Sequence, residues 1–342
     1  MARLLVALSG GVDSSVAAAL AVESGNEVVG VTLRLWENDT GSGCCSVAEI
    51  DDARRVAHRL GIDHWVWRFT DDFEAHVVTP YAEAHARGLT PNPCIECNRQ
   101  LKFGRFLRRA VQLGFDGVVT GHHARVRTGP DGRHRLLRGT DTAKDQSYVL
   151  YVLGQDELGR CRFPVGETTK IDVRQRAAAL GLPTAAKPDS QDACFVTTSG
   201  GRPALLGSRM TLHPGRVVDT AGRTVGTVDA VELVTVGQRR GLGTGGGARR
   251  YALSVDPAAG VVVAGTHDEL AVDEVELTEV TWTNGEPADG EVLAQASAHG
   301  DAVAARVEGR TVRFASPRRR VAPGQSVVLY RGDEVLGGGI AS

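Results

Sequence analysis

Eight residues near the start of the chain constrain its fold more than any other feature. Leu8-Ser9-Gly10-Gly11-Val12-Asp13-Ser14-Ser15 follows a short apolar run at residues 4–8 and opens an Ala-rich helical stretch at 14–23, which Gly25 closes. Glycines let a backbone approach a ligand closely, and serine hydroxyls with the amides of a helix start make an anion site. No Gly-Lys-Ser/Thr follows, so this is not the Walker-type loop. The polar turn at Ser9 also breaks the apolar run too early for a signal peptide, which makes residues 4–8 a buried first strand.

Strand and helix signals then alternate. Residues 27–35 read as a strand, and 51–60 as a helix with Ile50, Ala53, Ala57 and Leu60 on one face. Trp65, Trp67 and Phe69 alternate along a strand at 64–69. Residues 98–113 predict an amphipathic helix, with Phe103, Phe106, Leu107, Ala110 and Val111 on one face and Arg99, Lys102, Arg105 and Arg109 on the other. Residues 117–120 return to strand. This order predicts an α/β, Rossmann-like parallel sheet with helices on both faces. After about residue 200 helical periods vanish and short Val-rich runs dominate, at 215–219, 224–228, 251–255 and 261–264, then 275–282, 291–296, 302–308, 311–314 and 326–330. The expected units are 1–200 for the parallel-sheet domain, 201–270 for a small β-rich domain and 271–342 for a C-terminal antiparallel β-barrel. No apolar run approaches the roughly 20 residues that span a bilayer, so no membrane partner and a cytoplasmic protein are expected.

Charge needs local reading. The 342 residues carry 39 basic and 41 acidic side chains, a formal charge of −2, which at first sight argues against a nucleic-acid partner. Between residues 97 and 144, however, eleven Arg or Lys face three Asp, a local +8. More arginines cluster at 239–240, 249–250 and 318–320. Four of the basic residues are Lys and 35 are Arg, a bias of the kind a GC-rich genome produces. Six cysteines are few for this length and fit a reducing compartment better than a disulfide framework.

Two cysteine segments carry chemistry. In Thr90-Pro91-Asn92-Pro93-Cys94-Ile95-Glu96-Cys97-Asn98-Arg99 the prolines fix an extended turn, and Cys97 falls at the start of the basic helix. A positive helix end with Arg99 and Lys102 nearby favours thiolate. A CxxC by itself can be a redox pair, half a metal site or chance. Lys187-Pro188-Asp189-Ser190-Gln191-Asp192-Ala193-Cys194-Phe195 places a further Cys in a polar turn, and alone it is indistinguishable from a partly buried structural Cys.

The S-G-G-V-D-S-S string resembles the PP-loop of ATP pyrophosphatases, which cleave ATP between the α and β phosphates and adenylate a carbonyl oxygen. Taken in order with P-N-P-C-x-x-C-N-R, T-G-H-x-A-R at 120–125, K-D-Q-S-Y at 144–148, D-S-Q-x-x-C-F at 189–195, G-Q-R-R-G-L-G at 237–243 and P-G-Q at 323–325, it makes the chain similar over its whole length to tRNA-uridine 2-sulfurtransferases of the MnmA type. The resemblance implies that ATP, with Mg2+, adenylates the C2 oxygen of the wobble uridine and that sulfur displaces AMP. It implies that Ala7, Leu8, Ser9, Gly10, Gly11, Val12, Asp13 and Ser14 hold the ATP phosphates, with Leu33 and Gly121 lining the nucleotide pocket. Cys97 would be the nucleophile and Cys194 the persulfide carrier, the two able to pair as a disulfide. Asn92, Pro93 and Cys94 would contact the target base, and His122, Lys144, Asp145, Gln146 and Gln325 the tRNA. The partners implied are the anticodon region of tRNA and a sulfur source: a cysteine desulfurase, a sulfur-relay protein or inorganic sulfide.

Two departures open alternatives. Cys94 stands where many family members have Asp, which leaves Cys94, Cys97 and Cys194 as three thiols, one short of a closed site. A [4Fe–4S] cluster with an open iron is one reading; the competing persulfide route needs only Cys97 and Cys194. Adjacent Cys44 and Cys45 are awkward joint ligands and read as spectators. Where the family often carries an Arg-Tyr pair, this chain has Ala298-His299-Gly300; Arg318-Arg319-Arg320 is either a compensating tRNA contact or a solvated turn. The rival functions are another PP-loop enzyme adenylating a small acid and a metal- or redox-sensing CxxC protein. Dependence of ATP-to-AMP turnover on tRNA separates them.

Overall fold

The computed structural model describes residues 1–36, 47–189, 195–196, 200–245 and 249–342, so Cys44, Cys45 and Cys194 lie outside the described residues. Strands β1 (Arg3–Ala7), β2 (Glu27–Arg34), β3 (Asp63–Arg68) and β4 (Gly117–Val119) pair in parallel, with β1 central: Leu5 sits between Val29 on one side and Val118 on the other. A two-residue strand, Cys161–Arg162, extends the sheet beyond β4. Alternate residues of β1 enter different cores, as the strand period requires. Leu4 and Val6 pack beneath helices α1 (Val12–Glu23) and α2 (Val47–Leu60), whose contacting residues are mostly Ala and Val. Leu5 faces an aromatic cluster of Trp67, Phe69, Phe73, Phe103 and Phe106. A strand buried on both faces is the signature of a parallel sheet.

The opposite face is covered by two helical runs, residues 70–86 and 93–112. Both contain π-helical stretches, Glu74–Val78 and Cys97–Phe106. The second stretch corrects the expected regular helix at 98–113. Wider i→i+5 turns rotate Asn98 and Leu101 inward beside Phe103, and leave Val111 exposed, not on the apolar face.

Four strands of the middle segment, at Gly215–Val218, Thr224–Val228, Tyr251–Asp256 and Val261–Gly265, form their own sheet; its central pair, Val261–Gly265 on Gly215–Val218, is parallel. The last six strands, at Ala271–Trp282, Gly290–Gln295, Val303–Glu308, Thr311–Arg319, Ser326–Arg331 and Glu334–Ala341, close into an antiparallel barrel. Closure comes from the Ala271–Trp282 strand, which pairs with Thr311–Arg319 and with Glu334–Ala341. Val275, Leu277, Val307, Val312, Val327 and Leu329 fill the barrel.

A β-hairpin ties the two halves together. The hairpin of Ala124–Thr128 and His134–Arg138, which follows β4, adds to the barrel rather than to the parallel sheet: Leu136 pairs with Val335 and Leu137 with Glu334. Leu136 and Val335 are fully buried. No helix among the described residues is long and apolar enough to cross a membrane.

Candidate active site

β1 has β2 on one side and β4 on the other, so the strand order reverses between β1 and β4, and it is outside the strand ends at such a point that open α/β sheets bind ligands. The segment after β1 is tied to itself. The Ser14 hydroxyl donates to the Gly11 carbonyl (3.0 Å) and accepts from the Ser9 amide (3.2 Å), and Ser15 donates to the same Gly11 carbonyl (2.7 Å). Gly11 is the N-cap of α1 and brings no side chain to cap the first amides, which leaves the positive helix end uncovered by a cap. On the neighbouring strand, Thr120-Gly121-His122 follows β4. A Cβ on Gly121 would fall 2.5 Å from the Ser14 nitrogen, so glycine is what lets the two loops meet.

Below the loop lies a charged network that ties distant segments together. Both Asp13 oxygens accept from Lys170 Nζ (2.8 and 2.7 Å), and His123 Nε2 lies 3.1 Å from Oδ1. Lys170 also reaches Asp189 (2.9 Å), which takes Lys144 (2.8 Å) and Arg174 (2.6 Å) as well. Burial opposes ionisation of Asp13, but the bonds from His123 and Lys170 outweigh it and hold its carboxyl below the usual range. Burial likewise opposes ionisation of Asp189, yet its hydrogen bonds from Lys144 and Lys170 bring it down to about 2. Lys187 braces the loop from the α2 side, donating to the Gly10 carbonyl (2.9 Å) and pairing with Asp52 (3.0 Å).

The cysteine segment begins with a cap. Asn92 accepts from the Cys94 amide (3.0 Å) and Pro93 occupies the first helical position, which explains why Asn-Pro precedes the CxxC. Cys94 is exposed and Cys97 half-buried, packed against the aromatic core. Two anchors hold the segment to the barrel side. At one end the Thr90 amide donates to the Pro323 carbonyl (2.8 Å). At the other, Asn98 donates to the Val149 carbonyl (3.0 Å), while Tyr148 and Tyr151 bond Ser326 at 2.7 and 3.1 Å. Phe195, the neighbour of Cys194 in sequence, is buried against Trp36, Phe73 and Tyr81 in the same core cluster as Ile95. Cys161 is fully buried in β-structure and burial pushes its thiol far up, which leaves it inert.

The five residues expected at tRNA are placed unequally. His122 is buried between Phe103 and Phe163, its Nδ1 2.7 Å from Thr120 Oγ1, and burial pushes its pKa well below the ordinary value. The Asp145 carboxylate accepts from Arg138 (2.8 Å) and from the Gly139 and Ser147 amides (both 3.0 Å), so it organises the turn from inside. Both side chains are largely buried. Lys144 pairs with Asp189; Gln146 is exposed and accepts from the His123 amide (2.9 Å); Gln325 is half-buried. Leu33 is buried near the end of β2.

Basic residues that cluster in the sequence are partly paired within the fold. Three arginines of the +8 segment, Arg125, Arg133 and Arg135, pair with Asp333, Glu286 and Glu334 and stitch the hairpin to the barrel, while Arg127 pairs with Glu167 in the first half. In the 318–320 triplet, Arg319 reaches the Gly237 carbonyl and Arg320 the Leu253 carbonyl, linking barrel and middle sheet. Neither a solvated turn nor a purely RNA-facing patch describes them. His123, Lys170 and Arg174 fall at positions that no motif in the sequence singles out. Among the described residues no three His, Cys, Asp or Glu are grouped to hold a metal ion; Cys94 and Cys97 alone of the three thiols considered for a cluster fall within them.

A family model described as tRNA methyl transferase HUP domain matches residues 2–198, and one described as aminomethyltransferase beta-barrel domain matches 272–341. The chain is 46% identical over 351 residues to the tRNA-specific 2-thiouridylase MnmA of Chloroflexus aurantiacus, covering 99% of this chain and 98% of that one. It is 47% identical over 359 residues to the protein of that name from Mycobacteroides abscessus, covering 99% of each. A solved structure, the U34-tRNA thiolase NcsA from Methanococcus maripaludis with its [4Fe-4S] cluster, overlaps 56% of this chain and 61% of that chain at 19% identity and a TM-score of 0.38, too distant to bear on chemistry.

Proposed function

Because the chain belongs to the tRNA-specific 2-thiouridylase family, we propose that it converts the wobble uridine of tRNA to 2-thiouridine, using ATP to activate the C2 oxygen. The observation that carries this reading is the meeting of three segments at one sheet edge: the serine–glycine loop, the Gly121 segment that touches it, and the Cys97 helix, which packs on His122 through Phe103.

In this reading Ser9–Ser14 and the start of α1 hold the phosphates, with Leu33 and Gly121 beside the nucleoside. ATP arrives with Mg2+, for which Asp13 offers a carboxylate next to the loop. Attack of the C2 oxygen on the α-phosphorus releases pyrophosphate and makes the oxygen a leaving group. Asn92, Pro93 and Cys94 bound the space for a base taken out of its stack. A persulfide on Cys194 supplies the sulfur: its terminal atom bonds to C2, AMP leaves with the oxygen, and the Cys97 thiolate takes the inner sulfur of Cys194, closing a Cys97–Cys194 disulfide that a reductant must reopen. A desulfurase or relay protein reloads Cys194. Lys144, Gln146 and Gln325 lie on the tRNA side, and the reducing conditions that this cycle needs fit the cytoplasm. The likewise proposed units are 1–200, 201–270 and 271–342, for activation, linkage and RNA docking.

The test is direct. Protein, ATP, a sulfur source and unmodified tRNA should yield 2-thiouridine by mass spectrometry, with AMP formation dependent on tRNA; Cys97→Ser should give none. Product from Cys97→Ser removes it as nucleophile, and AMP formation without tRNA points to a small acid as substrate. Anaerobic purification with iron counting separates the sulfur routes: full activity without iron excludes a cluster, while stoichiometric iron whose chelation stops the reaction overturns the persulfide.

A further inference from the structure

Lysine is rare in this chain, four residues against 35 arginines, and all four lysines sit around the site. Lys102 lies on the π-helical stretch that starts at Cys97, close enough to His122 to oppose its protonation. Lys144 pairs with Asp189, Lys187 holds the Gly10 carbonyl, and Lys170 bridges Asp13 and Asp189. Arginines serve the hairpin, the barrel and the middle sheet. Where an arginine enters the site, at Arg174, its planar fork suits the job: it holds the Ala185 and Lys187 carbonyls and one oxygen of Asp189.

Lys170 has a different task. An ammonium carries three N–H donors in a tetrahedral array, and Lys170 finds three oxygens at 2.8, 2.7 and 2.9 Å, two from Asp13 and one from Asp189. A flat guanidinium cannot converge on three oxygens around one point. The side chain is nearly buried, so an anion that displaced Asp13 from it would meet a desolvated charge, where attraction is strongest. Asp13 is the second residue of α1, so the ammonium it holds stands beside the uncapped helix start.

We propose that Lys170 is a nucleotide-phosphate ligand: it rests on Asp13 and Asp189 in the free protein and, when nucleotide binds, exchanges Asp13 for a phosphate oxygen. This rests on the reading that the loop takes ATP. The exchange trades one anionic oxygen for another, so the buried ammonium is never left unpaired, and it releases Asp13 as phosphate charge arrives. Asp189 keeps its hold throughout and fixes the lysine's position.

The scarcity of lysine makes the test clean. Protein labelled with 13Cε-lysine shows four side-chain signals, each assigned by the spectrum of the corresponding Lys→Arg variant. ATP with Mg2+, and pyrophosphate with Mg2+, should move the Lys170 signal, and adenosine should not. Lys170→Arg should keep its melting temperature within a few degrees and lose on the order of 100-fold in tRNA-dependent AMP formation, the scale of one transition-state charge contact. ATP binding, seen by calorimetry, with an unmoved Lys170 signal overturns the proposal alone. Absence of ATP binding by the unsubstituted protein defeats it together with the functional reading. Should Lys170→Arg not fold, the other three variants still assign the Lys170 signal by elimination and the titration decides.

Discussion

A methyl group at position 121 would fall 2.5 Å from the Ser14 nitrogen and 2.7 Å from the Asp13 carbonyl carbon. Backbone atoms on both sides cannot move independently, because Ser14 is bonded to Ser9 and Gly11 and Asp13 to Lys170 and His123. Gly121→Ala should therefore push the loop off its position while leaving the aromatic core untouched. The expected result is at least a 100-fold loss of ATP-dependent turnover with tRNA affinity within about twofold, measured by AMP release and filter binding. An equal loss of both would mean that the residue serves the fold and not the nucleotide site. Tyr148 poses a second residue-scale test, since its hydroxyl gives the Ser326 carbonyl a 2.7 Å partner in a buried setting. Tyr148→Phe leaves that carbonyl without it, at a cost of about 1–3 kcal/mol, visible as a lower melting temperature.

At the scale of elements, the sequence revealed what depends on local pattern and hid what depends on neighbours. The alternation of β1, α1, β2 and α2 was legible because each element buries its own periodic face. The final strand at Glu334–Ala341 was not read from sequence, since Gly337, Gly338 and Gly339 look like a turn. Its reason is tertiary: a Cβ on Gly338 would lie 2.5 Å from the Val327 carbonyl oxygen and 2.9 Å from the Tyr151 ring, so the strand can pass between its neighbours only without side chains. The loop and cysteine motifs stood out as strings, whereas Lys170 and His123 acquire meaning only through Asp13, 157 and 110 residues away. The junction of the 79–86 helix with the middle sheet carries its own prediction. His85 is buried beside Tyr81 and Arg202, and burial lowers its pKa from 6.5 to about 4. Above pH 6.5 it is neutral whether folded or unfolded. As pH falls from 6.5 towards 4 only the unfolded chain gains this proton, so the contribution of His85 to stability declines by at most about 1.4 kcal/mol per pH unit and levels below pH 4. His85→Gln should make that part of a melting-temperature profile shallower, with His122 contributing to the remaining slope.

At the scale of the whole molecule, a net charge of −2 conceals an uneven surface, and pairing across the hairpin conceals it further. RNA affinity should fall steeply with salt, as phosphate contacts release counterions. Replacing Arg318, Arg319 and Arg320 together with Ala should do two things at once: reduce the salt slope, and lower the melting temperature because the Gly237 and Leu253 carbonyls lose their links to the barrel. Arg318→Ala alone should affect only the salt slope. A triple variant with unchanged slope removes these arginines from the RNA interface.

The hairpin at 124–138 meets the strand at 334–341 some two hundred positions later in the chain. During synthesis, therefore, the edge of His134–Arg138 and the apolar face of Leu136 must wait until Glu334 and Val335 have been made. Until then the nascent protein displays an open strand edge next to a nearly complete nucleotide-binding half, a state prone to pairing with other chains. A message cut short anywhere in the barrel would yield this species permanently. The arrangement thus makes order of synthesis matter: this edge of the first half is covered only once the strand at 334–341 has been made.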